Sequence, residues 1–448
     1  MKRRYKNGTL LTLDRDNLFC QNGFMDIENG IITGLGSAPD STGPWSGEEQ
    51  SVVEIDLAGK IVMPGMISSH CHFYGQFVRG LSLSGTISNW QQVLSRLWWK
   101  VDKALDEEML YFSAMMGLVE GLKSGTTTYF DHQASPNAID GCLDILESAV
   151  RKAGARASLC YEVTGRDGQE RAMAGVKENL RFIKKHAGRK EDTQIAGMFG
   201  LHASYTLSRE LLEYCGGLHE ARQAGFHVHV AEDMADVSDC YKRFDKHPAE
   251  RFHAAGILGP RSIAAHGVHL TPKEWGLLKE TGTTLAHNSQ SNLNNGVGIC
   301  PATPMLEDGV AVALGGDGFT YDLFKELSAA IVAQRGFYRK PDILGSNAIK
   351  ALAFDNNSRL AQQALGLPLG KLEKGAGADF IILDYDPPTP LHKDNIISHL
   401  TSAFGGHVHT VVIKGNTVVE NHRCTLFDEE EINARCRTHS KRLWDKLG

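Results

Sequence analysis

The sequence predicts an α/β fold, a (β/α)8 TIM barrel with a small composite β-sandwich formed by the N- and C-terminal segments. Its 448 residues leave room for a barrel and an accessory domain. Eight short apolar runs alternate with segments of helical periodicity, whereas the chain ends carry closely spaced strand and turn signals. The predicted domains are therefore 61–366 for the barrel, 1–60 with 367–425 for the sandwich, and 426–448 for a C-terminal helix.

The barrel prediction depends on eight strand-like runs. Each is apolar and rich in β-branched residues, ends in polar or glycine residues, and precedes a segment of helical periodicity. One predicted helix starts at Leu105 and stops at Gly125, and another lies between Thr206 and Gly225. The runs are IVMPGMISSHCH from Ile61, TTTYFDH from Thr126, RASLCYEV from Arg156, IAGMFGLHA from Ile195, FHVHVAE from Phe226, SIAAHG from Ser262, TTLAHN from Thr283 and VAVALGGD from Val310.

The two chain ends predict short strands joined by turns. Asn29-Gly30 within GFMDIENGIITGLG is a hairpin signal, and Asn416 is predicted to lie in the turn of VHTVVIKGNTVVENHR. Neither end has enough strands for a stable sheet, so we expect both to contribute to one sandwich. The charged segment EEEINARCRTHSKRLWDKLG predicts the terminal helix, and Asn356 and Asn357 are predicted to lie in a loop.

Composition and charge exclude several classes of protein. Apolar residues make up 42% of the chain and charged residues 22%, which excludes disorder, and a net charge of −6 argues against a nucleic-acid partner. No apolar stretch approaches the roughly 18 residues that span a bilayer, and the N-terminus lacks the apolar core of a signal peptide. The nine cysteines are odd in number and include no C-x-x-C pair, as expected for reduced thiols. We therefore expect a cytoplasmic protein without membrane or nucleic-acid partners, and a homo-oligomer stays an open alternative.

Three H-x-H pairs occur in the sequence, and their positions distinguish them. Nineteen histidines in 448 residues produce about one such pair by chance, so the motif alone is a weak signal. His407 and His409 fall in the predicted sandwich, where we expect a structural role, and His227 lies deep in its strand, where a supporting role is expected. His70 and His72 close the first predicted barrel strand, and the two-residue period turns both side chains toward the barrel interior.

Further ligand-type residues converge on the C-terminal mouth of the predicted barrel. His229 and Glu232 lie at the end of strand five, His266 ends strand six, and Asp317 ends strand eight. Active sites on this fold lie at that face. Because several separate elements deliver these residues to one place, chance is a poor explanation, and the sequence predicts a metal site there.

Five segments resemble, in order and spacing, the signature segments of the amidohydrolase superfamily: PGMISSHCHF, HVHVAED, AAHGVHL, HNSQSNLNNGVG and LGGDG. They look most like the aminohydrolase branch, which includes guanine, cytosine and thiomethyladenosine-type deaminases and triazine hydrolases. LWWKVDKALDEEMLYFS, DHQASP and DYDPPTPLHKDNI are similar to SsnA-type aminohydrolases in particular. The resemblance covers nearly the whole chain and implies a TIM barrel with a composite β-sandwich.

The resemblance also implies a role for each residue at the mouth. The metal ligands would be His70, His72, His229 and Asp317, the proton shuttle Glu232, and the residue that orients water and substrate His266. Three imidazoles and one carboxylate suit Zn²⁺, with Fe²⁺ or Mn²⁺ as alternatives, and leave a position for a water molecule. In that chemistry Asp317 takes the proton of the water, so it is catalytic as well as a ligand.

The fourth predicted strand bears on the number of metals and on substrate binding. Binuclear relatives carry a bridging lysine there, but IAGMFGLHA has none, so one divalent metal ion is expected. His202 ends that strand, and the resemblance implies that it contacts the substrate. Further candidates for substrate binding are Gln76, His132 and Trp90. The Trp90 ring could stack on a planar heterocycle. Arg166, after strand three, is expected to be solvated.

The leading hypothesis is a metal-dependent hydrolase of C–N bonds that acts on a small N-heterocycle. An activated water would deaminate an amidine-like carbon in a purine-, pyrimidine- or imidazole-type ring. A cyclic-amide hydrolase or a hydrolytic dehalogenase of an N-heterocycle is the alternative, since the same water and Glu232 would serve either reaction. A metal-binding scaffold without catalysis is a third hypothesis, disfavoured because a structural site needs neither a proton shuttle nor an open coordination position.

Overall fold

The computed structural model describes most of the chain, namely residues 2–14, 19–37, 52–82, 85–189 and 191–448. The predicted sandwich segment 1–60 is therefore described in part, and its residues 1, 15–18 and 38–51 lie outside the described residues.

Two kinds of sheet account for the strands of the described residues. The strands are β1 (Lys2–Leu11), β2 (Phe19–Glu28), β3 (Ile31–Ser37), β4 (Val52–Asp56), β5 (Ile61–Pro64), β6 (Met66–Cys71), β7 (Thr126–Gln133), β8 (Arg156–Tyr161), β9 (Ile195–Gly197), β10 (Phe199–Leu201), β11 (Phe226–Val230), β12 (Ile263–His266), β13 (Thr284–His287), β14 (Val312–Leu314), β15 (Phe380–Leu383), β16 (Val408–Ile413), β17 (Asn416–Glu420) and β18 (Arg423–Cys424).

Helices follow most of the central strands. The α-helices are α1 (Trp90–Val93), α2 (Trp99–Ala104), α3 (Glu107–Lys123), α4 (Cys142–Ala153), α5 (Gln169–His186), α6 (Arg209–Gly217), α7 (His219–Ala224), α8 (Met234–Phe244), α9 (Pro248–Ala254), α10 (Pro272–Thr281), α11 (Ser289–Asn294), α12 (Ala302–Glu307), α13 (Leu323–Tyr338), α14 (Ser346–Lys350), α15 (Asn356–Leu365), α16 (Ile396–Ser402) and α17 (Glu429–Leu447). Single π-helical turns at Leu94–Trp98 and Ala351–Asp355 join α1 to α2 and α14 to α15.

The central strands form two parallel sheets, which confirms the predicted α/β class. One sheet has the order β6-β7-β8-β9 and the other β10-β11-β12-β13-β14. The fourth predicted strand is thus divided at Met198, since β9 pairs with β8 whereas β10 pairs with β11. The division was not expected from the sequence, because it depends on which neighbour each half pairs with.

A nine-stranded sheet combines strands from both ends of the chain. Its order is β18-β17-β16-β15-β5-β1-β2-β3, with β4 paired to β1. Asn29 and Gly30 form the expected turn between β2 and β3, with φ of 52° and 78°. The prediction for Asn416 is wrong. The turn consists of Lys414 and Gly415, with φ of 54° and 71°, and Asn416 begins β17 opposite Ile413, because glycine tolerates positive φ better than asparagine.

Asn357 connects the first and last parallel strands, so the loop predicted around it is wrong. It lies in α15, fully buried, and its amide donates to the carbonyl oxygens of Ile67 in β6 at 2.5 Å and Leu314 in β14 at 2.8 Å. Its Oδ1 accepts from the Leu314 N–H at 3.0 Å. Asn356 starts the same helix and donates to the Val312 carbonyl at 2.8 Å. A buried amide that is hydrogen-bonded to the backbone of both strands in this way stabilises the contact of the two strands.

The helix expected between Thr206 and Gly225 is two helices. Ser208 caps α6 as expected, accepting from the Leu211 N–H at 3.1 Å, but the chain is extended at Leu218, with ψ of 120°, before α7 begins. A Cβ at Gly216 would lie 1.9 Å from the Ala255 carbonyl oxygen, so the helix end packs directly on backbone that only glycine allows. The helix α3 matches its predicted span closely. None of the helices in the described part of the chain is long and apolar enough to cross a membrane.

Candidate active site

Three histidines and an aspartate meet at the carboxyl ends of the parallel strands. The Nε2 atoms of His72 and His229 are 3.3 Å apart, and Asp317 Oδ1 lies 3.1 Å from His72 Nε2 and 3.5 Å from His70 Nε2. The four residues are between 0% and 8% exposed. His70 Nε2 is buried without a hydrogen-bond partner. Ligand atoms of His70, His72 and His229 all lie within 4.8 Å of one another, which is the spacing of a metal-binding cluster.

Each imidazole of the cluster is held through its Nδ1 atom, which leaves Nε2 for the cluster. Carbonyl oxygens accept from two of the rings, so the proton lies on Nδ1 and the Nε2 lone pair of the neutral ring points inward. The Nδ1 partners are His227 Nε2 at 2.8 Å for His70, the His132 carbonyl at 2.5 Å for His72, and the His202 carbonyl at 2.9 Å for His229. Lone pairs that face one another at short distance need a cation between them.

Backbone geometry at the end of β14 brings the aspartate into the cluster. The N–H groups of Gly316 and Asp317 both donate to the His70 carbonyl at 3.0 Å. Asp317 has a φ of 54°, an uncommon value for a residue with a side chain, and a Cβ at Gly316 would lie 1.9 Å from the Thr320 carbonyl oxygen. The GGD segment is therefore bent tightly enough to place the carboxylate over the end of β6.

The electrostatics of the cluster favour a positive charge at its centre. Burial lowers the pKa of His70 to about 3 and that of His229 well below its ordinary value, so both rings are neutral. Burial also opposes charge on His72, but the Asp317 carboxylate outweighs it and raises the pKa of His72 to about 9, so without a cation in the cluster this ring itself carries the positive charge. Burial opposes charge on Asp317, but the neighbouring His70 and His72 outweigh it and keep the pKa of Asp317 well below its usual range.

Glu232 and His266 lie beside the cluster. His266 Nε2 is 3.8 Å from Glu232 Oε2 and 4.0 Å from Asp317 Oδ2, and its Nδ1 contacts Asn292 Oδ1 at 2.8 Å. The Glu232 side chain is 12% exposed. Burial and then the Asp317 charge raise the pKa of Glu232 well above its usual range. A protonated carboxyl therefore stands next to the imidazole–carboxylate cluster.

A cavity of about 510 Å³ opens over the cluster. Glu232, His266 and three of the cluster residues lie at its base, and Trp90, Trp98 and Trp99 form part of its wall. Of the predicted substrate-binding residues, Gln76, Trp90 and His202 line this cavity. His132 does not, since it is fully buried behind Glu162, with its Nδ1 3.3 Å from Glu162 Oε2.

Two residues on the cavity wall were missed or misjudged from the sequence. Glu162 directly follows β8, is 4% exposed and lines the cavity. Its position after a strand was a usable signal, but one glutamate among many is not distinctive. Arg166 was expected to be solvated, which is wrong. Its side chain is only 10% exposed, forms a short ion pair with Asp102, and lies 5.0 Å above the Trp99 ring.

The other histidine pair lies far from this cavity. His407 Nδ1 contacts the Asp384 carbonyl at 3.0 Å, and His409 belongs to β16 of the nine-stranded sheet.

A buried histidine–aspartate cluster with a protonated carboxyl beside it, at the ends of parallel strands, is the arrangement of a metallohydrolase active site. The Amidohydrolase family profile matches residues 61–418. The chain is 30% identical over 439 residues to a 5-methylthioadenosine/S-adenosylhomocysteine deaminase of Bacillus cereus (strain AH820), which covers 96% of this chain and 97% of the relative.

Solved structures with the same fold include zinc enzymes. An adenosine deaminase from Xanthomonas campestris with bound zinc superposes with a TM-score of 0.86 at 21% identity, over 98% of both chains. The atrazine chlorohydrolase of Arthrobacter aurescens TC1, complexed with zinc, superposes with a TM-score of 0.83 at 21% identity, over 98% of this chain and 100% of that one.

The chain belongs to the amidohydrolase family. The resemblance deduced from its motifs is confirmed, and the protein is a metal-dependent hydrolase of carbon–nitrogen bonds. The further likeness to SsnA-type aminohydrolases stays a prediction.

Proposed function

We propose that the protein catalyses the hydrolytic deamination of an amidine-like carbon in a purine-, pyrimidine- or imidazole-type heterocycle. The observation that carries the proposal is the buried Glu232 carboxyl beside His266 at the base of the cavity, since burial and then the Asp317 charge raise its pKa and favour the protonated form. A carboxyl in that state can donate a proton to a ring nitrogen and later to the departing amine. The deaminase activity named for the 30% identical relative supports a heterocyclic amine as substrate.

The donor set fits one divalent metal ion, Zn²⁺ in the first place and Fe²⁺ or Mn²⁺ as alternatives. His70, His72, His229 and Asp317 would hold it, since the orphaned His70 Nε2 and the facing lone pairs of His72 and His229 need a cation. The absence of a lysine from β9 and β10 supports one ion rather than two. When bound, the ion supplies Lewis-acid chemistry that makes water a nucleophile at neutral pH.

The residues around the cluster divide the proton transfers between them. Asp317 accepts a proton from the attacking water, because its carboxylate faces the cavity and stays ionised. His266 orients the water and the substrate, since its Nδ1 is fixed by Asn292 and its Nε2 faces both carboxyl groups. Glu232 donates to the ring nitrogen next to the attacked carbon and then to the leaving ammonia.

The substrate occupies the 510 Å³ cavity. Trp90 on the wall offers a ring for stacking on a planar heterocycle, and His202 and Gln76 offer polar atoms. The Gln76 amide donates to the His72 carbonyl and to the Tyr321 hydroxyl, both at 3.2 Å, so its Oε1 is oriented by the fold. His132 does not reach the substrate. It lies against the Glu162 carboxyl on the side away from the cavity and helps to position it.

The two parallel sheets are parts of one (β/α)8 barrel in this proposal. The bridge between Cys71 and Asp317 and the bridge between Val163 and Leu201 join the sheet edges, which supports closure. One buried cluster contains residues of both sheets, among them Phe130 and Ile263. The nine-stranded sheet would correspond to the composite β-sandwich of 1–60 and 367–425, and α17 to the terminal helix of 426–448.

The test is ammonia release by the zinc-loaded protein from a panel of aminopurines, aminopyrimidines and aminoimidazoles, with chelated protein as control. We expect zinc-dependent release from at least one class of ring. Release of chloride from a chlorotriazine without ammonia from any amine would overturn the proposal in favour of a dehalogenase.

A further inference from the structure

Besides Glu232 and Asp317, the Glu162 carboxyl faces the cavity, and it takes no part in the proton transfers above. Glu162 follows β8 and lines the cavity together with His202. Its Oε2 is 3.3 Å from His132 Nδ1, and its Oε1 is 3.8 Å from His202 Nε2. Among the described residues, no N–H or O–H group is hydrogen-bonded to either oxygen of this carboxyl. Glu162 Oε1 therefore keeps acceptor capacity that only a cavity occupant can use.

The hydrogen bonds around His202 make its Nε2 a second acceptor. The Thr206 hydroxyl donates to the Ala203 carbonyl at 3.1 Å, so its oxygen must accept from His202 Nδ1 at 2.7 Å. A neutral imidazole that donates through Nδ1 carries its lone pair on Nε2. Two acceptors, Glu162 Oε1 and His202 Nε2, thus lie 3.8 Å apart on one wall.

The cations on the cavity wall are already matched by carboxylates. Arg166 forms a short ion pair with Asp102, and Arg79 forms one with Glu120. An anionic substituent on the substrate would find neither guanidinium free, and it would meet the Glu162 carboxylate. The wall therefore selects for N–H donors and against anions and ring nitrogen lone pairs.

We propose that Glu162 and His202 receive an N–H of the substrate ring next to the amino-bearing carbon, so that the substrate belongs to the 2-amino-4-oxopyrimidine class found in guanine and isocytosine. The inference rests on the proposed deamination. In such rings the amino-bearing carbon lies between two ring nitrogens. Glu232 donates a proton to the ring nitrogen that carries a lone pair. Glu162 and His202 accept a hydrogen bond from the ring nitrogen that carries hydrogen. A 6-aminopurine has carbon on that second side and offers no ring N–H there.

The reaction is balanced by water alone. The water oxygen forms a bond to the amino-bearing carbon, and the bond from that carbon to the exocyclic nitrogen breaks. Of the two water protons, one joins the amino group, which leaves as ammonia, and the other stays on the ring nitrogen that Glu232 serves. The carbon becomes a carbonyl, and the ring N–H that Glu162 and His202 hold is retained in the product.

The first test uses two rings that differ in the ring N–H that Glu162 and His202 would bind. Guanine and 2-aminopurine carry the amino group on the same carbon, but 2-aminopurine has a lone pair in place of the N1 hydrogen. In calorimetry on the zinc-loaded protein with Glu232→Gln, which should bind guanine without rapid turnover, we expect guanine to bind about 10- to 100-fold more tightly than 2-aminopurine, the usual contribution of a hydrogen bond to a charged group. We also expect ammonia from guanine or isocytosine and none from adenine. Equal affinity for the two 2-amino rings would overturn the inference.

The variant test uses Glu162→Gln with Glu54→Gln as its matched control, because Glu54 lies exposed in the nine-stranded sheet. Glu162→Gln should lower the affinity for guanine about 10- to 100-fold, leave the affinity for 2-aminopurine unchanged, and leave the zinc content unchanged. A loss that is the same for both rings would overturn the inference.

Failure of the substrate class and failure of the proposed deamination give different results. Ammonia from adenine-type rings but not from guanine or isocytosine would overturn the substrate class and leave the deaminase proposal intact. Ammonia from no heterocycle at all would overturn the deaminase proposal, and the paired binding measurements would still decide the role of Glu162.

Discussion

Glu232→Gln should abolish most of the turnover and leave the metal in place. The substitution keeps the size of the side chain and its reach toward His266, whose Nε2 lies 3.8 Å from Glu232 Oε2. Glutamine cannot gain or lose a proton in this pH range. Because Glu232 is not among the residues that converge on the cluster centre, its replacement removes a proton carrier and no ligand.

The size of the effect follows from the surroundings of the carboxyl. Among the described residues, no donor is hydrogen-bonded to it, and its side chain is 12% exposed, so the change to an amide should cost little free energy of unfolding. The loss is then that of a general acid–base group, about 10²- to 10⁴-fold in kcat, or about 3 to 5 kcal/mol in activation free energy. The KM should change much less than kcat, since stacking and wall contacts remain.

The assay is elemental analysis and steady-state ammonia release on one preparation, with Glu54→Gln as the control. A Glu232→Gln protein that holds its metal and turns over at the wild-type rate would refute the assignment of proton transfer to Glu232. A variant that has lost its metal would show that Glu232 is a ligand.

Four further substitutions test the site and the fold. His72→Ala should lose both metal and turnover, whereas His407→Ala, whose ring contacts only the sheet region, should keep both; similar behaviour in metal analysis would show that position does not distinguish the histidine pairs. Asp379→Ala should lower the free energy of unfolding by about 3 to 5 kcal/mol in urea denaturation, because it leaves the Arg156 guanidinium buried without its carboxylate partner at 2.5 and 2.9 Å. A loss below about 1 kcal/mol would contradict that reasoning. Burial raises the pKa of Glu326 to about 8 from its ordinary value of 4.5, so the folded protein keeps a proton that the unfolded chain releases, and the free energy of unfolding should fall as the pH rises from 4.5 to 8. Glu326→Gln should make the free energy of unfolding less dependent on pH in this range. An unchanged pH dependence would show that the Glu326 proton is not its cause.

The sequence predicted the parts of the fold that depend on local pattern. The alternation of apolar runs and helical segments located the parallel strands, and the Asn29-Gly30 turn follows from the positive φ that both residues tolerate. It could not predict the division of the fourth strand at Met198, which depends on pairing with two different neighbours. Nor could it place Asn357, because the carbonyl groups that its amide satisfies belong to strands more than 40 residues away.

The cluster was predictable because its residue types are rare at strand ends and occur in several strands at once. The wall of the cavity was not. Glu162 and Arg166 owe their positions to partners in other elements, and a single carboxylate or guanidinium has no periodic pattern that marks it. The orientation of each buried imidazole likewise depends on groups of neighbouring strands, which are the His227 ring for His70 and the His202 carbonyl for His229.

The central claim is that one divalent metal ion in the His70, His72, His229 and Asp317 cluster supports deamination. The most direct measurement is ammonia release by chelated protein as Zn²⁺ is added back in fractions of an equivalent. The activity should rise linearly from near zero and reach its plateau at one equivalent per chain. A plateau at two equivalents, or full activity without added metal, would contradict the claim.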